Sequence, residues 1–187
     1  MTSGSASGFT VVELLITLVV AAVLASVAVP AFKQMGERNH MVYELNQFSA
    51  ALRLARTEAL KRGANVSICA ARENATGAVQ CTPDAAWHEG WVVYPSDFPA
   101  ERIAVSRGFS GTNTLHSQAG LKTISFNRYG FSIQKDTLVL CPANGNLHNA
   151  RALLLERSGR TLVAEDIDGN SIVNGVDGTD IQCPTTN

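Results

Sequence analysis

The chain has 187 residues, 45% of them hydrophobic, with 15 Lys and Arg against 16 Asp and Glu and a formal net charge of −1. That length fits one helix-anchored domain and excludes a large multidomain enzyme. The near-neutral balance excludes a strongly basic nucleic-acid protein and a disordered acidic one. The average hides an uneven distribution: up to Phe32 the only ionisable side chain is Glu13, and every Lys and Arg lies beyond it.

The first predicted element is apolar. Residues 9–32 read FTVVELLITLVVAAVLASVAVPAF, which as a helix rising about 1.5 Å per residue crosses a hydrocarbon layer of about 30 Å. A cleavable secretory signal would need a basic n-region and a shorter apolar core. Here the leader MTSGSASG holds no Lys or Arg and the helical pattern runs on past the apolar stretch, so the segment reads as a retained membrane-spanning helix. A carboxylate inside such a run costs roughly 2.5–3.5 kcal/mol at mid-bilayer and less near an interface. Glu13 therefore either snorkels to the headgroups or neutralises a positive charge brought by another chain. Pro30 removes one backbone hydrogen bond and is expected to kink the helix.

From 33 to 62 the apolar positions Met41, Leu45, Phe48, Leu52, Ala55 and Ala59 alternate at spacings of four and three, one stripe of an amphipathic α-helix. Gly63 supplies a C-terminal stop behind Lys61 and Arg62. The net charge of this half, +3, reads as a solvated helix face.

Past Gly63 the texture becomes β-rich. NVSICA, GWVVY, RIAVS, KTISF, GFSI, TLVLC, ALLLE and RTLVAE are short β-prone runs between turn residues, the pattern of small antiparallel sheets. KTISF and GFSI flank Asn127, Arg128 and Tyr129 as an expected hairpin, and Ser158-Gly159 marks another tight turn. Trp87 and Trp91 read as packing aromatics. The fold class is α+β: a long N-terminal helix, membrane-spanning in its first half, on a head (63–187) of two antiparallel sheets.

Cys69, Cys81, Cys141 and Cys183 all lie outside the apolar helix, and an even count in an exported domain reads as two disulfides. Three connectivities exist; Cys69 with Cys81 and Cys141 with Cys183 is favoured, the first closing a short loop and the second stapling the tail. No CxxC pair or His cluster supports zinc. The last segment, Val163 to Asn187, carries five acidic residues and no Lys or Arg. Within it Asp166, Asp168, Asn170, Asn174 and Asp177 occupy positions one, three, five, nine and twelve of an EF-hand-like calcium loop, with Ser171 where Gly is expected. A plain acidic loop with hairpin turns is the alternative reading. Apart from calcium no cofactor is expected. The four His residues are scattered and no nucleophile elbow, phosphate loop or HExxH helix is present, so no enzyme or small-molecule substrate is indicated.

Gly8, Phe9, Thr10, Glu13 and Leu14, in GFTVVELL before the apolar run and Pro30, resemble the signal of type IV prepilins and type II secretion pseudopilins. Cys69, Cys81, Trp87, Gly90 and Trp91, with ISFNRYG and SGR further on, more loosely resemble the GspH/FimT group of minor pilins. The resemblance implies a leader (1–8) cut by prepilin peptidase between Gly8 and Phe9, and N-methylation of Phe9. It implies pairing of Glu13 with the terminal amine of a neighbouring subunit, and an inner-membrane protein with a periplasmic head that joins a filament with other pilins. A minor type IV pilin acting near the filament tip is the reading it favours; an H-type pseudopilin of a type II secretion system is the alternative. Some FimT-type pilins bind DNA through GRxR. Here Gly159-Arg160-Thr161-Leu162 lacks the second Arg and the acidic tail repels phosphate, leaving Arg160 as a weak contact and nucleic acid an unfavoured partner.

Overall fold

The protein is described from a computed structural model over residues 10–184. Helix α1 spans Val11–Arg62 and remains helical through Pro30 and Gly36. Nine strands follow: β1 (Val66–Glu73), β2 (Val79–Cys81), β3 (Trp91–Pro95), β4 (Ala104–Ser106), β5 (Thr114–Ser117), β6 (Thr123–Phe126), β7 (Asp136–Cys141), β8 (Arg151–Leu155) and β9 (Thr161–Val163). The described residues divide into two compact units, with the boundary between His40 and Met41. The division falls inside α1, where the apolar stripe begins, and not at Gly63 where the helix stops.

In the second unit, the strands make two antiparallel sheets. The first has the order β2-β1-β3-β4, with β6 also paired to β1; the second has the order β5-β7-β8-β9. Met41, Leu45, Phe48, Leu52, Ala55 and Ala59 are all buried. They share one core with Ile68 and Ala70 of β1, Val93 of β3, Ile124 and Phe126 of β6, Leu138 and Leu140 of β7, and Leu153 and Leu155 of β8. One helix stripe thus covers the inner faces of both sheets. Trp87 and Trp91 pack edge-on against Phe48 with ring centroids 5.3 and 5.2 Å away, so both are core aromatics.

Each sheet also carries a small apolar cluster on its outer face. On the first, Cys69, Ala71, Val79, Val92 and Tyr94 cluster; on the second, Val139, Ala150 and Ala152 lie under Ala164, Val173 and Ile181 of the tail. Both faces of β1 and β7 are therefore buried, over six consecutive residues in each strand.

At one end of the head α1 is tied to both sheets. Arg56 Nε donates to the Gly130 carbonyl at 3.0 Å and Nη2 to the Ser158 carbonyl at 3.1 Å. Gly130 follows β6 and Ser158 lies in the β8–β9 turn, so one guanidinium joins three elements.

The solvated helix face expected from charge is only partly so. Glu44 is 1% exposed and accepts a hydrogen bond from Asn113 Nδ2 at 2.7 Å. Glu58 pairs with Lys61 and Arg62, and Arg62 also reaches Glu101.

Candidate assembly site

Thr10 opens the helix as its N-cap. Its Oγ1 accepts from the Glu13 N–H at 3.2 Å and its carbonyl from the Leu14 N–H at 3.1 Å. Glu13 therefore sits in the first turn, where the helix dipole favours a carboxylate. Beyond it, Val11–Val29 forms one apolar span long enough to cross a membrane, and its side chains are exposed throughout. Thr17 and Ser26 donate their hydroxyls to the carbonyls of Leu14 and Val23, which satisfies both inside the helix and lowers the penalty of placing them in hydrocarbon. Glu13 is the one ionisable group on this span. Gly8 and Phe9 lie outside the described residues, as does the Pro30 side chain.

Cys69 is bonded to Cys81 and Cys141 to Cys183, at sequence separations of 12 and 42. Arg160 is exposed, and its backbone closes the β8–β9 turn through the Glu156 N–H and the Ser158 hydroxyl.

The calcium-pattern oxygens are engaged in turns. Asp166 accepts from the Gly169 and Ser171 N–H groups, Asp168 from Asn170, and Asp177 from Thr179. Asn174 accepts from the Ile167 N–H while its amide donates to Asp180. These bonds hold Asp166 below the usual carboxylate range, chiefly through the Ser171 N–H, and Asp177 likewise through Thr179. Ser171 takes a positive φ of 69° at the position where such loops favour Gly. Among the described residues no three His, Cys, Asp or Glu side chains gather as a metal site.

Two histidines meet at the seam of the sheets. His88 precedes β3 and its Nδ1 accepts from the Leu115 N–H of β5; its ring centroid lies 5.9 Å from that of His116. Burial, then the neighbouring His88 and Lys122, push His116 below its ordinary value near 6.5. Glu89 faces the same corner but is held by Arg72, at 2.9 Å on each of two contacts. A histidine that binds its proton less readily folded than unfolded supports the fold above pH 6.5 and loses that support as pH falls through it. The melting midpoint should fall from pH 7.5 to pH 5.5, and His116→Gln should flatten this slope. An equal slope in the variant would show the seam histidine is not responsible.

An exposed apolar helix whose carboxylate stands in its first turn, continued by a helical stripe on two antiparallel sheets, defines a type IV pilin-like protein. The family model described as "Type II transport protein GspH" matches residues 44–159, and the chain belongs to that family. Two crystal forms of the type IV minor pilin FimU of Pseudomonas aeruginosa (strain PAO1) have the same fold. One, in space group P21, has a TM-score of 0.58 at 22% identity, over 70% of this chain and 92% of that one. The other, in P65, has a TM-score of 0.53 at 22% identity, over 66% and 91%. No curated protein matches in sequence.

Neither the Arg56 clamp nor the burial of Glu44 has a signature in the sequence alone. The fragments ISFNRYG and SGR that carry part of the resemblance contain Gly130 and Ser158, the two carbonyls on which the clamp closes.

Proposed function

We propose that the chain is a minor type IV pilin, held in the inner membrane by Val11–Val29 with its head in the periplasm until it joins a filament with other pilins. Prepilin peptidase removes residues 1–8, Phe9 becomes a methylated amino terminus, and Glu13 takes the terminal amine of a neighbouring subunit. The observation that carries this reading is the exposed apolar span with Glu13 as its one ionisable group. A lone carboxylate and a lone ammonium are each penalised in a low-dielectric bundle, and bringing them together removes most of both penalties. Glu13→Ala should be cleaved and inserted normally yet enter filaments at a small fraction of the wild-type level, read by immunoblot of sheared filaments against whole membranes. Wild-type incorporation would overturn the charge pairing.

The GspH family description favours a second reading, a minor pseudopilin of a type II secretion system. Deleting the gene separates the two: loss of surface pili supports the first reading, and loss of secreted enzymes with pili intact supports the second.

A further inference from the structure

On the outer face of the first sheet, away from α1, lies a cleft of about 410 Å³, within the range of small-molecule sites, roughly 300–1,000 Å³. Among its lining residues are Ser67 of β1, Cys81 of β2 and Val92 of β3. Ser67 is 4% exposed, and its Oγ lies 2.8 Å from both Ser96 Oγ and Ser125 Oγ. Ser67 thus ties the Ser96 hydroxyl, itself part of the lining, into a three-hydroxyl cluster. Tyr94 and Pro99 add ring surfaces to the lining, and Gln80 and Arg102 add an amide and a guanidinium.

Arg102 is the only charged residue lining the cleft. One of its guanidinium nitrogens donates to the Val79 carbonyl, which anchors the group against β2. Among the described residues no carboxylate pairs with it. The remaining N–H groups are donors with nothing to neutralise, a setting that selects a carboxylate. Serine hydroxyls and the Gln80 amide in the lining suit a polyhydroxylated body, and the Tyr94 and Pro99 rings suit the C–H face of a pyranose.

We propose that this cleft between β2, β3 and the loop 96–102 binds an acidic monosaccharide unit, a hexuronate, with its carboxylate on Arg102 and its ring against Tyr94 and Pro99. The reading is independent of filament membership, since the site lies wholly within the head and leaves α1 untouched.

Saturation-transfer NMR on the full chain in lipid nanodiscs tests it, with glucuronate, glucose and acetate as separate probes. Glucuronate should receive saturation at its ring C–H protons with a millimolar dissociation constant; glucose and acetate, each lacking half of the recognition, should bind at least about tenfold more weakly. Arg102→Gln should weaken glucuronate by a similar factor. Gln80→Ala, an exposed lining change that leaves the Val79 contact in place, should weaken it several-fold and serves if R102Q lowers the melting midpoint. No saturation at tens of millimolar glucuronate would overturn the proposal. So would glucose binding as tightly as glucuronate, or glucuronate binding unchanged in R102Q and Q80A.

Discussion

Gly159→Ala is expected to cost about 3 kcal/mol of stability or more, and to release the helix from the sheets at the Arg56 junction. Gly159 has φ +76°, and a Cβ there would lie 1.9 Å from the Gly130 carbonyl oxygen and 3.1 Å from Arg56 Nε. The left-handed conformation alone costs a non-Gly residue roughly 1–2 kcal/mol. The remainder comes from overlap with backbone rather than with a side chain that could swing away. To make room, the β6 turn must move, and it carries the carbonyl that receives Arg56 Nε at 3.0 Å. Gly178 is the control: its φ is +80° but nothing stands within 4 Å of its added Cβ, so Gly178→Ala should show the backbone strain alone. Chemical denaturation of the two variants against wild type measures the difference. Equal losses would show that the Gly130 approach is soft and that the junction does not depend on it.

That junction also marks the limit of what a single sequence discloses. The helix stripe was legible from Met41 to Ala59 because a helix buried on one side must repeat its apolar positions at spacings of three and four. Most sheet strands were legible because β-branched and aromatic runs sat between turn residues. Val79–Cys81 and Thr114–Ser117 were not, because three or four residues with a single buried apolar side chain each are too short to show a period. GFSI has the composition of a strand, yet after Phe126 it makes only an isolated bridge at Ser132, whose N–H turns to the Arg157 carbonyl. Glu13 stood out because a carboxylate in an apolar helix is costly wherever it lies. Glu44 and Arg56 did not, because on an amphipathic helix a charged residue beside the stripe looks the same whether it faces water or a backbone carbonyl from another element. Only the fold decides which. Ser67 was hidden for the same reason: its two hydroxyl partners lie 29 and 58 residues away in sequence.

Removing the Cys141–Cys183 bond, by replacing both residues with Ser, is expected to destabilise the head by about 4 kcal/mol on the loop-entropy model. The bond closes a 42-residue loop and holds the tail across the outer face of the second sheet. Removing Cys69–Cys81, a loop of 12 residues, should cost nearer 3 kcal/mol. The larger effect has a local part that distinguishes it. The tail covers Val139, Ala150 and Ala152 with few apolar residues, Ala164, Val173 and Ile181. Its added ties are polar, such as the Val176 N–H on Thr137 Oγ1 at 2.9 Å. Without the bond that thin contact must hold by itself, so the tail should open before the rest of the head and expose β7 and β8 on their outer face. Limited proteolysis of the double variant should therefore cut within 164–184 first and leave a shortened, still folded product. The variant lacking Cys69 and Cys81 should show no such early cut. A tail equally resistant with and without the bond would mean that packing alone retains it, and the stability loss should then shrink well below the entropic figure.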